Sequence, residues 1–131
     1  MARILVVEDE AMNIEILTRL LSRYRHDVVV ASSRHDAIAA VQATPPDLIL
    51  MDIGIPNAEG ETLNDRGGLE ATRWIKANEA TRMIPIIAVS ASAMLDEKKQ
   101  FIEAGCDDVQ SKPFDFTALI NTINTHLARK A

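Results

Sequence analysis

The sequence predicts a doubly wound α/β domain, a five-stranded parallel sheet in the order 2-1-3-4-5 with helices on both faces. Three observations carry this expectation. Short apolar runs alternate five times with longer stretches of three- and four-residue spacing, the pattern of parallel strands joined by crossover helices. The middle runs, LILM at 48–51 and IIAV at 86–89, are continuously apolar, as strands covered on both faces must be. Residues of distinctive chemistry follow the runs closely, at what would be the carboxyl ends of the strands.

Taken in order, the first strand is expected at 4–7 and is closed by Glu8-Asp9. Helical spacing then covers 13–23, a second strand 28–31, and a second helix 34–43. Pro45-Pro46 break the chain ahead of the third strand at 48–51, which runs into Asp52. A third helix is expected at 69–79 and a fourth strand at 86–89, closed by Ser90. The fourth helix, 95–104, is followed by Gly105 as its C-terminal cap. The fifth strand, 108–111, carries the weakest signal, since Val109 is its one large apolar residue and Gln110 sits in its middle. It leads into Lys112-Pro113. In the last helix, 116–128, Phe116, Leu119, Ile120, Ile123 and Leu127 form one apolar stripe, leaving Asn121, Thr122 and Thr125 to face water.

Composition narrows the class. A chain of 131 residues, 47% hydrophobic, suffices for one core, so one domain spanning 1–131 is expected, with no output domain. A net charge of -5 and a pI near 5.1 speak against gripping a phosphate backbone, so no direct nucleic-acid partner is expected. The lone Cys106 can form no internal disulfide, and the sequence offers no leader and no apolar span of membrane length. A soluble cytoplasmic protein with no membrane partner is the expectation. Cys106 reads as a small, partly buried residue and Trp74 as packing or a partly exposed helix residue; His26, His35 and His126 lie in polar, surface-like surroundings and are assigned no role.

With strand order 2-1-3-4-5, the winding reverses between strands one and three, so Glu8, Asp9 and Asp52 converge there, flanked by Ser90 and Lys112. Three carboxylates within a few Å repel one another, and a raised pKa or a bound cation must relieve them. Hard oxygen donors favour Mg2+, which takes one or two carboxylates, keeps several waters and bridges to phosphate oxygens. Asp52 is then the candidate nucleophile, giving an acyl phosphate, with Lys112 as a second positive charge and Ser90 as a donor to the phosphoryl group.

These residues resemble the response-regulator receiver family across essentially the whole chain. The motifs are ILVVEDE at 4–10, PDLILMDIGIP at 46–56, GGLEATRWIK at 67–76, PIIAVSA at 85–91 and GCDDVQSKPF at 105–114. The resemblance implies a flavodoxin-like (βα)5 fold and a phosphoryl group passed to Asp52 from a histidine kinase or histidine phosphotransfer protein. It implies a downstream protein target, with a homodimer left open. It further implies Mg2+ on Asp9, Asp52 and the backbone carbonyl of Gly54, with Glu8 acting through water. Ser90 matches the family's switch hydroxyl and Lys112 its lysine, followed by Pro113. Two departures stand out: Val109 occupies the place of a switch aromatic, and residues 57–65 add a polar stretch beside the site.

Competing functions each lack a residue. A Mg2+-dependent phosphatase usually has a second Asp two positions after the nucleophile, where this chain has Gly54. A flavodoxin-like FMN carrier needs a hydroxyl- and glycine-rich cradle after its first strand, where Glu8-Asp9 would repel phosphate. A receiver retained only as an interaction module would not be expected to keep the acidic, hydroxyl and lysine positions together.

Overall fold

Five parallel strands form one sheet in the order β2-β1-β3-β4-β5 in the computed structural model, which describes residues 2–55, 67–90, 95–112 and 115–130. The strands are β1 (Arg3–Val7), β2 (Asp27–Ala31), β3 (Leu48–Asp52), β4 (Ile86–Ser90) and β5 (Asp108–Ser111). Between and after them run α1 (Ala11–Arg23), α2 (Arg34–Ala43), α3 (Gly67–Ala77), α4 (Leu95–Ala104) and α5 (Phe116–Lys130). Strand order and helix number agree with the sequence expectation.

The two-residue period of the strands divides the core into two layers. Ile4, Val6, Leu48, Leu50 and Ile87 point to one face and pack on Leu17 and Leu21 of α1 and Leu119, Ile120 and Ile123 of α5. Leu5, Val7, Ile49, Met51, Ile86 and Ala88 point to the other, against Ala37 and Val41 of α2, Leu69 and Ile75 of α3, and Phe101 of α4. Burial on both faces is why the central strands read as unbroken apolar runs.

Local chemistry sets the helix ends. The third helix stops at Ala77, two residues short of the expected end, because Asn78 Nδ2 donates to the Trp74 carbonyl (2.7 Å) and Thr81 Oγ1 to that of Ile75 (2.7 Å). Gly105 does cap α4, at φ +114, where a side chain would also meet Lys76 Cγ at 2.7 Å. That lysine braces the amino-terminal edge of the sheet, its Nζ reaching the carbonyls of Arg82 and Ile84 and the Asp107 carboxylate. At the end of α1, Arg25 takes a left-handed φ of 66, with His26 N–H bonded back to the Leu21 carbonyl.

The α5 stripe needs three corrections. Phe116 is 47% exposed, because its turn lies beyond the apolar cluster, which α5 enters at Leu119. Thr122 is half-buried instead of facing water and accepts a hydrogen bond from Gln110 Nε2 at 3.0 Å, which is how a polar residue is accommodated in mid-strand. His126, expected at the surface, is buried, with Nε2 3.1 Å from Asp108 Oδ2; it lies three residues after Ile123 and so falls on the inward stripe. His26 also departs from its surface assignment, being half-buried with Nδ1 accepting from the Ala2 N–H at 3.3 Å.

Among the described residues no helix is long and apolar enough to cross a membrane.

Candidate functional site

Strand register assembles the site. Val7 lies opposite Met51, Asp52 opposite Val89, and Ser90 opposite Ser111. The next residue along β1, Glu8, therefore emerges beside Asp52, and the next along β5, Lys112, emerges beside Ser90. A backbone bond from Lys112 N–H to the Ser90 carbonyl (2.9 Å) continues the β4–β5 ladder to that point.

The carboxylates of Glu8, Asp9 and Asp52 each offer an oxygen, and these oxygens all lie within 4.8 Å of one another. Glu8 is buried, Asp52 half-buried and Asp9 exposed. Lys112 Nζ stands 3.0 Å from Asp52 Oδ2 and 3.3 and 3.5 Å from the two Glu8 oxygens. The Gly54 N–H donates to Asp52 Oδ1 at 3.0 Å, so each Asp52 oxygen has a fixed donor. Gly54 itself is exposed.

Three acids answered by one lysine leave a surplus of negative charge, and burial and pairing decide where it falls. Burial, together with the hydrogen bond and charge of Asp52, pushes Glu8 up to about 8, against the lowering pull of Asn13 and Lys112. Asp52 moves the other way. Burial raises it, but the hydrogen bonds from Glu8 and Gly54 and the charge of Lys112 outweigh that and hold it below the usual aspartate range. Lys112, opposed by its own burial, is raised by its pairing with Asp52 and Glu8. Within the pair, Glu8 thus releases its proton less readily than Asp52, which favours Asp52 as the anion. Three carboxylates gathered with oxygens within 4.8 Å of one another, one of them buried, are matched to a hard divalent cation, which would offset both the burial and the mutual repulsion of their charges. The exposed Asp9 leaves a side open to water, as Mg2+ requires.

All four acidic and basic residues expected here, Glu8, Asp9, Asp52 and Lys112, are brought together. Ser90 is buried at the end of β4, at the same edge of the sheet. Val109 lies half-buried against the apolar cluster beneath α2, α3 and α4. Pro113 and the 57–65 stretch lie outside the described residues.

Two residues escaped the sequence reading. Asn13 Nδ2 donates to Glu8 Oε1 at 2.6 Å, a role with no local signature. Gly68 lets α3 approach β3 closely, since a Cβ there would fall 2.4 Å from the Asp52 carbonyl oxygen and 2.6 Å from Ile53 Cα. Its signal, two glycines opening a helix, was visible at 67–68. Cys106 is buried beside Thr72, and burial pushes its thiol up to about 11, which fits a packing role.

Comparison with known proteins gives one consistent answer. The response regulator receiver domain family matches residues 4–124. The polar-differentiation response regulator DivK of Brucella ovis is 33% identical over 124 residues, covering 95% of this chain and 94% of that one. Among solved structures, the receiver domain of a Pseudomonas aeruginosa sensor histidine kinase, with a magnesium ion coordinated in its active-site cleft, superposes with a TM-score of 0.84 at 29% identity over 97% of this chain and 98% of that one. The receiver domain of NtrX from Brucella abortus superposes with a TM-score of 0.81 at 27% identity, covering 95% and 98%.

Proposed function

This chain belongs to the response regulator receiver family, a component of two-component signalling, and on that premise we propose that Asp52 accepts a phosphoryl group from a histidine kinase or histidine phosphotransfer protein. The observation that carries the proposal is the placing of Asp52 between Lys112 Nζ at 3.0 Å and the oxygens of Glu8 and Asp9. An ionised carboxylate needs no general base. An Asp52 oxygen forms the new bond to phosphorus as the bond to the donor imidazole nitrogen breaks, and Lys112 faces the charge that develops. Glu8, Asp9 and Asp52, with the Gly54 carbonyl, are the groups that would hold Mg2+, which when bound supplies positive charge to phosphoryl oxygens. The Glu8 proton would leave as the cation is taken up, since a neighbouring positive charge favours the ionised carboxylate.

Phosphorylation then biases two conformations of the domain, and the shape change is read by a downstream protein. A hydrogen bond from Ser90 to the phosphoryl group contributes about 1.5 to 3 kcal/mol, whereas swinging a population from about 1:99 to 99:1 takes about 5.5. Ser90 alone is therefore insufficient. Lys112, the metal and the rearranging loops supply the rest, or the partner completes the switch, a division favoured by Val109 in place of an aromatic. Two positions beyond Asp52 and Ser90, where side chains in the receiver family govern the access of water to the acyl phosphate, this sequence has the small residues Gly54 and Ser92, the latter outside the described residues, so the phosphorylated state is expected not to be long-lived. We read the chain as a cytoplasmic receiver switch that assists phosphorylation of its own Asp52 and is not an independent enzyme.

The test is incubation with a small phosphodonor and Mg2+ followed by intact mass. One base-labile phosphoryl adduct, absent without Mg2+ and absent in Asp52→Asn, is expected. An adduct that persists in Asp52→Asn overturns the assignment.

A further inference from the structure

The loop carrying Asp9 is tied at both flanks by one side chain. Asn13 Nδ2 has two hydrogens and two acceptors, Glu8 Oε1 at 2.6 Å and Glu10 Oε2 at 3.4 Å. Glu10 is the N-cap of α1, yet its side chain makes no capping bond to the helix; it turns instead toward Asn13, one helical turn on. Glu8 is buried and Asp9 exposed, so the residue between the two clamped glutamates is the one that reaches into solvent from a fixed base. A neutral amide suits this position. It donates to both carboxylates, adding no positive charge to compete with a cation and no negative charge to widen the cluster.

We propose that Asn13 is a positioning residue for the cation site, its amide nitrogen drawing Glu8 and Glu10 together so that Asp9 and Glu8 are presented as a preformed pair. The proposal rests on the receiver reading above and assigns part of its Mg2+ affinity to a side chain on α1. Outer groups that orient metal-binding carboxylates typically account for about 10- to 100-fold in affinity.

Three variants separate donor from shape: Asn13→Ala removes the amide, Asn13→Leu keeps the branched outline without the donor, and Asn13→Gln keeps an amide. Mg2+ affinity is read by calorimetry on the full chain, and Asp52 phosphorylation by a small phosphodonor is read by mass as a function of Mg2+. Circular dichroism in EDTA verifies folding. Asn13→Ala and Asn13→Leu are expected to weaken Mg2+ binding about tenfold. Their phosphorylation rates at saturating Mg2+ should stay within about twofold of the parent, and Asn13→Gln should recover part of the affinity. Parent-like Mg2+ affinity in both Asn13→Ala and Asn13→Leu overturns the proposal and leaves the receiver reading intact. A phosphorylation defect that persists at saturating Mg2+ also overturns it, since Asn13 would then act on the transfer itself. A parent protein that binds no Mg2+ and forms no Asp52 adduct removes both.

Discussion

Lys112 shows how much a single side chain decides at this site. Its Nζ bridges the two carboxylates that share a proton, 3.0 Å from Asp52 and 3.3 Å from the nearer Glu8 oxygen. Replacing it with Met keeps the length and removes the charge. Phosphorylation of Asp52 by a small phosphodonor should fall about 100-fold, the size of losing one preorganised donor to a developing charge. Mg2+ affinity should hold or rise, because the cluster becomes more negative. Loss of Mg2+ binding together with the rate would show that Lys112 builds the pocket more than it serves the transfer. The residues that face this site were readable in the sequence because each ends a strand, and a strand end is a local feature. Asn13 was not, because its importance lies in a tertiary bond to Glu8 that no spacing encodes. His126 was misread for the opposite reason: its polar type was weighted above its position, three residues after Ile123 on the buried stripe.

At the scale of elements, the junction between β3 and α3 controls where Asp52 sits. Gly68 N–H meets the Ile53 carbonyl at 3.3 Å, and Gly67 N–H meets that of Ile55 at 2.9 Å, so the helix start is laced to the strand end. Gly68→Ala places a methyl carbon 2.4 Å from the Asp52 carbonyl oxygen, and the backbone has to move. A loss of about 1 to 3 kcal/mol in urea unfolding is expected, with slower Asp52 phosphorylation because the displaced atoms belong to the nucleophile's own backbone. An unchanged phosphorylation rate in a destabilised Gly68→Ala would separate helix packing from the site. The turn between α1 and β2 gives the converse case. Arg25 holds a left-handed φ of 66 that glycine adopts freely, so Arg25→Gly should stabilise the fold by about 0.5 to 1 kcal/mol, read as a raised thermal midpoint. Strand and helix identity were legible throughout, including the weakly apolar β5. The end of α3 was not, because side chains of Asn78 and Thr81 reaching back to its last carbonyls decide it. Arg25 was missed as well, since a left-handed arginine carries no glycine signature.

For the whole molecule, the proton on Glu8 couples the fold to both pH and metal. Glu8 is raised from 4.5 to about 8 in the folded state, so between those values the folded chain holds a proton that the unfolded chain has released. Stability of the metal-free protein therefore falls as pH rises across that window. Asp52, depressed by Glu8, Gly54 and Lys112, contributes with the opposite sign. Its stabilisation is complete above the unfolded aspartate value of 3.8 and is lost as pH falls through the lower, folded value. The two windows leave the metal-free chain most stable near about pH 4 with respect to this pair, between the unfolded values of 3.8 and 4.5. Magnesium binding favours the ionised cluster, so the gain in urea midpoint on adding Mg2+ should be larger at pH 8 than at pH 5. Histidines titrate in the same range, and the decisive measurement is accordingly a difference: parent minus Glu8→Gln, without metal, from pH 5 to 8. That difference should amount to roughly a few kcal/mol and shrink when Mg2+ saturates the parent. Parallel pH profiles for the two proteins would mean that Glu8 carries no proton in the folded state, and the pair would then hold two negative charges against Lys112 alone.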